Sequence, residues 1–219
     1  MKLKYVELTP ELFAYVADHS SHADNPVLDR LRAETEALGD ISRMLISKEQ
    51  GNFMRLLVAA VGARSAIEVG TFTGYSSTCI ALGLPDSGRL LCVDSSVEWT
   101  SIARRYWEEA GISQKIELRT GDGGDVLTQL QPDEFFDFAF IDADKVGYDK
   151  YFELLLPHMQ PNSLLLFDNM LDHGKVLTPG PDDKNAQALG ALNRKLATDR
   201  RVESVLISMA DGLNICRKK

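Results

Sequence analysis

The sequence predicts an α/β fold of the doubly wound kind: a seven-stranded, mostly parallel sheet whose last strand runs antiparallel, preceded by N-terminal helices. Three observations carry that expectation. From residue 65 onward, short apolar runs alternate with amphipathic segments, and continuously apolar strands belong to a parallel sheet covered on both faces. Only Met209-Ala210-Asp211 separates the last two runs, too little for a parallel crossover, so they form an antiparallel hairpin. Four of the first five runs end in, or lead directly into, an acidic residue or a glycine turn.

The first sixty residues read as helices. Thr9-Pro10-Glu11 offers a side-chain N-cap and then a proline whose missing N–H costs nothing in the first turn. Leu12, Phe13 and Val16 give that helix one apolar stripe. A second helix follows Pro26, with Val27, Leu28 and Leu31 inward. Ser47-Lys48-Glu49-Gln50 is a capping-box pattern, and Phe53, Met54, Leu57, Val58 and Val61 continue it as a buried helix to Gly62. Strands are expected at 65–69, 89–94, 115–119, 136–141, 163–168, 202–208 and 212–217. Helices at about 74–83, 97–110, 124–131, 147–158 and 183–198 separate the first six. Neither an internal repeat nor a linker breaks the chain, which predicts one domain, a helical cap over 1–62 on an α/β core over 63–219.

The 219 residues carry 24 Lys and Arg against 32 Asp and Glu, a net charge of −8. That balance argues against a dedicated nucleic-acid binder, because a phosphate-facing surface needs clustered cations. No apolar run approaches the roughly 20 residues that span a bilayer, so no membrane association is expected. Met1-Lys2-Leu3-Lys4-Tyr5-Val6-Glu7 lacks the apolar core of a signal peptide. Cys79, Cys92 and Cys216 stand singly in apolar stretches, as buried small hydrophobes of a reducing compartment do. A cytoplasmic enzyme or small-molecule binder is the expectation.

In open α/β sheets, ligands bind beyond the carboxyl ends of the strands, where strand order reverses. The first strand leads into Glu68-Val69-Gly70-Thr71-Phe72-Thr73-Gly74-Tyr75-Ser76. Glycines there let the backbone approach a ligand, and the following helix presents free N–H groups. Gly70 and Gly74 give GxxxG, not the GxGxxG of a dinucleotide site, and no P-loop Gly-Lys-Ser/Thr follows. The acidic residue ahead of the glycines suits a cationic ligand better than a pyrophosphate. A plain strand-to-helix turn is the alternative reading. Asp94 stands 24 residues after Gly70, where a carboxylate accepts from ribose hydroxyls, although an N-cap for the helix near Val97 fits the same position. Gly121-Asp122-Gly123 is a short acidic turn able to face an adenine amine.

Strands four and five carry the sharper signal. With the order 3-2-1-4-5 they are neighbours, and Asp142, Asp168 and Asn169 converge as three oxygen ligands suited to a hard cation such as Mg²⁺. Lys145, close to Asp142 in sequence, is placed to reach a substrate there and act as a base. Taken alone, Asp168-Asn169 reads as a turn pair and Lys145 as a solvated side chain. His19, His22, His158 and His173 show no ligand spacing, and His173 falls near the proposed site, as a substrate-entrance residue or an ordinary loop histidine. Phe135, Phe136, Phe138 and Phe140 read as core of strand four, while Tyr148 and Tyr151 flank the pocket.

With these segments in hand, the chain resembles the class I S-adenosylmethionine-dependent O-methyltransferases that need a divalent cation, the group of caffeoyl-CoA and catechol O-methyltransferases and their bacterial relatives. The resemblance runs from about Thr9 to Lys218 and rests on Ile46-Ser47-Lys48-Glu49-Gln50-Gly51, the Glu68–Ser76 loop, Ile141-Asp142-Ala143-Asp144-Lys145, Phe167-Asp168-Asn169 and Asp211-Gly212-Leu213. It implies a Rossmann-like methyltransferase fold, with Met44 and Ile46 bordering the methyl donor and Glu68, Gly70, Thr71 and Ser76 holding its methionine part. Asp94 would take the ribose hydroxyls, and Asp122 and Gly123 would lie along the adenine, although the family more often has alanine where Gly123 stands. Asp142, Asp168 and Asn169 match the metal ligands, for Mg²⁺ or Mn²⁺, and Lys145 the catalytic lysine. The implied reaction consumes S-adenosylmethionine, leaves S-adenosylhomocysteine, and methylates one hydroxyl of a small aromatic diol held on the metal. Asp142 would serve cofactor, metal and catalysis together. A homodimer is the family's usual state. Two other readings remain at this point: an NAD(P)-dependent oxidoreductase, disfavoured by the GxxxG loop, and a non-catalytic binding module, disfavoured by the complete set Asp142, Lys145, Asp168 and Asn169.

Overall fold

Phe138, Phe140, Leu164 and Leu166 pack into one hydrophobic layer, and their strand neighbours Ala139, Ile141, Leu165 and Phe167 into the opposite one. Alternate residues of a strand face opposite sides, so a sheet buried at every position must be covered twice. The computed structural model, which describes residues 6, 9–20 and 25–219, shows how. Helices α1 (Pro10–Asp18), α2 (Pro26–Glu36) and α3 (Lys48–Ala60) precede the sheet, with a 3-10 segment at Gly39–Met44. There follow β1 (Ser65–Val69), α4 (Tyr75–Gly83), β2 (Arg89–Asp94), α5 (Val97–Glu109), β3 (Ile116–Thr120) and α6 (Gly123–Thr128). The chain continues through β4 (Phe136–Ile141), α7 (Tyr148–Leu155), β5 (Met159–Phe167), α8 (Lys184–Leu196), β6 (Val202–Ile207) and β7 (Leu213–Lys218).

The strand order is β3-β2-β1-β4-β5-β7-β6. β1 pairs in parallel with β2 and β4, which pair in parallel with β3 and β5, whereas β7 runs antiparallel to both of its neighbours, β5 and β6. The expected seven-stranded, doubly wound sheet with a reversed last strand is present. Element boundaries shift by small amounts. β3 starts one residue late, β5 begins at Met159, and α7 gives way to a 3-10 turn at Leu156–His158 because Pro157 cannot continue the helix.

Of the three leading helices, α2 fastens onto this core through polar contacts. The Asn25 side chain caps α2 by accepting from Val27 N at 3.0 Å, and Val27, Leu28 and Leu31 are buried as expected. Thr35 and Thr73, both buried, hydrogen-bond through their hydroxyls at 2.8 Å, tying α2 to the loop after β1. Arg32 donates to the Ile46 carbonyl at 2.6 Å and lies over the Tyr75 ring. Tyr106 on α5 donates to Glu34 at 2.7 Å.

Three apolar expectations are met only in part. Phe13 and Val16 on α1 are exposed, although Thr9 does accept from Leu12 N there. α3 is buried along one stripe only, with Met54 and Val58 inside and Leu56 and Val61 outside. Phe135 precedes β4 and is exposed, while Phe136, Phe138 and Phe140 are core. The N-terminal segment read for a signal peptide (Val6 apart) and His22 lie outside the described residues. Among the described residues no helix is long and apolar enough to cross a membrane.

Truncating Phe140, which is fully buried on β4, should cost about 3–5 kcal/mol of unfolding free energy in a denaturant titration. Leu56→Ala, on the exposed face of α3, should stay within about 0.5 kcal/mol of wild type.

Candidate active site

Backbone hydrogen bonds continue past the last residues of the parallel strands and lash their tips into one row. Gly121 N donates to Asp94 O at 2.9 Å, Gly70 N to Val93 O at 2.8 Å, Asp142 N to Val69 O at 2.8 Å and Asp168 N to Ile141 O at 3.1 Å. The residues just beyond each strand are therefore fixed relative to one another. They line a cavity of about 850 Å³ at the carboxyl edge of the sheet, where strand order reverses between β1 and β4.

Two glycines shape the loop after β1. Gly70 has φ +92°, and a Cβ there would lie 2.0 Å from the Asp142 carbonyl oxygen. Gly74 has φ +91° and caps α4, with a virtual Cβ 2.6 Å from that of Ala103. Asp94 holds the loop from the side: its Oδ2 accepts from Thr71 N and Phe72 N, both at 2.8 Å, and its Oδ1 from Ser96 N at 2.7 Å. Ser96, not Asp94, is the N-cap of α5. A carboxylate offers about four lone-pair directions, so Asp94 keeps one on Oδ1 for a ligand.

Opposite this loop, Asp122 caps α6 by accepting from Asp125 N at 3.1 Å, and Gly123 packs where a Cβ would sit 3.0 Å from Val69 and 3.2 Å from Tyr151. Phe72 and Trp99 meet edge to face in the cavity wall, ring centroids 5.5 Å apart. Glu68 stands behind the loop rather than in the cavity lining, completely buried. Burial, above all, pushes its carboxyl up to about 8, and among the described residues its Oε1 finds no hydrogen-bond partner.

The acidic and basic groups of the tips of β4 and β5 meet at the other end. Lys145 Nζ donates to Asp142 Oδ1 and to Tyr148 Oη, each at 2.7 Å. Tyr148 is buried, which drives its phenol well above its ordinary range, so it is a neutral anchor for the lysine. Asp168 is almost completely buried and accepts from Asn169 N at 2.8 Å. Burial, and then the charge of Asp142, push its carboxyl up to about 7. Asn169 sits at φ +55°, a left-handed conformation that Asn tolerates better than most residues. Among the described residues, no three His, Cys, Asp or Glu side chains cluster as a metal centre. The donor set here is two carboxylates and one amide.

The rim over these groups is pinned. Asp172, His173 and Gly174 all have positive φ, and hydrogen bonds hold this segment to the β6–β7 turn: Met170 N to Gly212 O at 2.8 Å, Leu171 N to Asp211 O at 2.9 Å and His173 N to Asp211 Oδ1 at 2.7 Å. Asn193 on α8 adds a bond to Met170 O at 2.8 Å. His173 lines the cavity, whereas His19 and His158 bond backbone carbonyls elsewhere.

The structure thus gathers Met44, Ile46, Gly70, Thr71, Ser76, Asp94, Asp122, Gly123, Asp142, Lys145, Asp168 and Asn169 around one cavity and leaves Glu68 behind it. The sequence reading missed Gln50, Trp99, Asp211 and Asn185, which also line it. Trp99 was discoverable, since it falls in the first turn of a helix that starts at a strand tip. Asp211 and Asn185 were not, because only tertiary folding brings them to the site.

A sheet of this order, with a cavity at its glycine loop, defines a Rossmann-like methyltransferase. The O-methyltransferase family matches residues 17–219, and the chain belongs to that family of enzymes. It is 36% identical over 219 residues to a Dictyostelium discoideum protein named "Probable caffeoyl-CoA O-methyltransferase 2", covering 97% of this chain and 94% of the relative. An O-methyltransferase from Bacillus cereus, solved in complex with SAH, shares 31% identity at a TM-score of 0.87, covering 94% of this chain and 96% of that one. TomG from Streptomyces achromogenes, solved in complex with SAM and involved in tomaymycin synthesis, shares 27% identity at a TM-score of 0.89 over 95% of this chain and 96% of that one.

Gly70→Ala should destabilise the fold far more than Gly39→Ala. Both glycines have positive φ, but a Cβ at Gly39 meets nothing within 4 Å. Gly39→Ala then carries only the backbone penalty of about 1–3 kcal/mol, and the difference between the two in chemical unfolding measures the clash with Asp142.

Proposed function

We propose that the chain transfers the methyl group of S-adenosylmethionine to one hydroxyl of a vicinal aromatic diol, with a divalent cation, Mg²⁺ or Mn²⁺, at Asp142, Asp168 and Asn169. The observation that carries this reading is the convergence of the Gly70 loop, Asp142, Lys145, Asp168 and Asn169 on one cavity. The oxygen-only donor set suits a hard cation, and two neighbouring carboxylates, one nine-tenths buried or more, are the kind of site such a cation relieves. SAH in the Bacillus cereus relative and SAM in TomG support the choice of methyl donor. The name of the Dictyostelium relative supports a catechol-type acceptor.

In this reading the loop at Gly70 and Thr71, together with Ser76, holds the methionine part, Asp94 takes the ribose hydroxyls through Oδ1, and Asp122 and Gly123 border the adenine. Glu68 acts through the loop, from behind. The cation, when bound, acidifies the acceptor hydroxyl and orients the diol. Lys145, after releasing its own proton to solvent, takes the hydroxyl proton at Nζ, with Tyr148 fixing the side chain. The phenolate oxygen then attacks the sulfonium methyl in line, and catalysis rests on orientation rather than on a covalent enzyme intermediate. A homodimer, a single domain and a cytoplasmic location complete the proposal.

Three experiments test it. S-adenosylmethionine should raise the melting temperature, whereas NADH and buffer should not, because only a ligand of the native state stabilises it. Methyl transfer to catechols and caffeoyl-CoA should appear with Mg²⁺ and vanish with EDTA, and product that survives EDTA sinks the metal assignment. Lys145→Ala should lower kcat by about 10²–10⁴-fold while the Kd for S-adenosylmethionine stays near wild type. Wild-type turnover in that variant would remove Lys145 from the reaction.

A further inference from the structure

Ser47 and Gln50 occupy the N-cap and N3 positions of α3, where a capping box closes in both directions. Only half of it forms. Gln50 N donates to Ser47 Oγ at 3.4 Å, but among the described residues no bond returns from the Gln50 side chain to the Ser47 N–H. The Gln50 side chain instead turns into the cavity at 1% exposure. Among the described residues its buried Nε2 finds no hydrogen-bond partner. Buried amide donors in folded proteins are almost always satisfied, so one left open at a ligand cavity marks a contact made only in the loaded state.

The partner is Asp168. Its buried carboxyl lies beside the Gln50 side chain in the same cavity wall, and an amide meets a carboxylate by presenting its N–H₂ end. Asn169 N already engages Asp168 Oδ1. We infer that Gln50 is a positioning residue for Asp168, its Nε2–H closing onto the carboxylate when a divalent cation is bound. This rests on the cation proposed above. Glutamine is chemically suited to that role. A lysine there would compete with the cation by charge and a glutamate would add a third anion, whereas a neutral amide orients the carboxylate without altering the charge. Outer-shell donors of this kind commonly set metal affinity by 10–100-fold.

The test is Mn²⁺ binding to the S-adenosylmethionine-saturated protein, followed by electron paramagnetic resonance or calorimetry. Gln50→Leu should weaken Mn²⁺ by about 10–100-fold, leave the Kd for S-adenosylmethionine without metal unchanged, and raise the metal concentration for half-maximal rate more than it lowers kcat. The metal-free variant should melt at or above the wild-type temperature, because an unsatisfied donor has been removed. A residue needed only to start α3 would instead lower that temperature. Gln50→Met, which keeps the unbranched length, should behave alike. Mn²⁺ affinity within twofold of wild type, or loss of the fold in both variants, overturns the role of Gln50. Failure of the wild type itself to bind Mn²⁺ overturns the cation reading and this inference together.

Discussion

Everything at the candidate site depends on how closely the tips of β1 and β4 approach. The Gly70 backbone lies against the Asp142 carbonyl with no room for a side chain, and the Asp142 N–H bonds back to Val69. That single close approach fixes the glycine loop relative to the first carboxylate. Because the hydrogen-bond row runs on to Asp168 on one side and Gly121 on the other, the remaining groups inherit the same register. Preorganisation here is a property of main-chain geometry, and side chains are hung on it.

Charge distribution then separates the cavity into two ends. Around the glycine loop, Asp94 is committed to three backbone N–H groups, so its charge is spent on holding the loop while one lone pair remains. At the other end, Asp142 and Asp168 face each other with Lys145 as the counter-charge to Asp142. Tyr148 contributes no charge, yet its buried hydroxyl fixes where the lysine ends. Two clusters of like residues thus have different jobs because their hydrogen-bond partners differ.

Much of this was legible in the sequence, and the failures have physical causes. Strand positions were readable because buried parallel strands must be apolar at every residue, and the short connection around Met209–Asp211 forces a reversal. The residues of the strand tips were readable because the fold class fixes where the ligand edge lies. What escaped depends on packing between distant segments. Ser47 to Gln50 matches a capping box whose returning bond does not form, since the cavity takes the glutamine instead. Glu68 is completely buried outside the cavity lining, a depth that its place in the sequence does not reveal. Phe13 and Val16 have a core-like pattern yet stay partly exposed on α1.

The position of β7 has a consequence for how the protein comes into being. β6 pairs with β7 alone, and β7 is wedged between β5 and β6. During synthesis, β6 therefore leaves the ribosome with no neighbour to receive it. It must wait for a later stretch of chain to slide in beside β5 before either strand is satisfied. The same insertion delivers Gly212 and Asp211 to the rim that Met170, Leu171 and His173 lean on. That rim is thus finished last, and a nascent chain can build its glycine loop well before the cavity has a complete mouth.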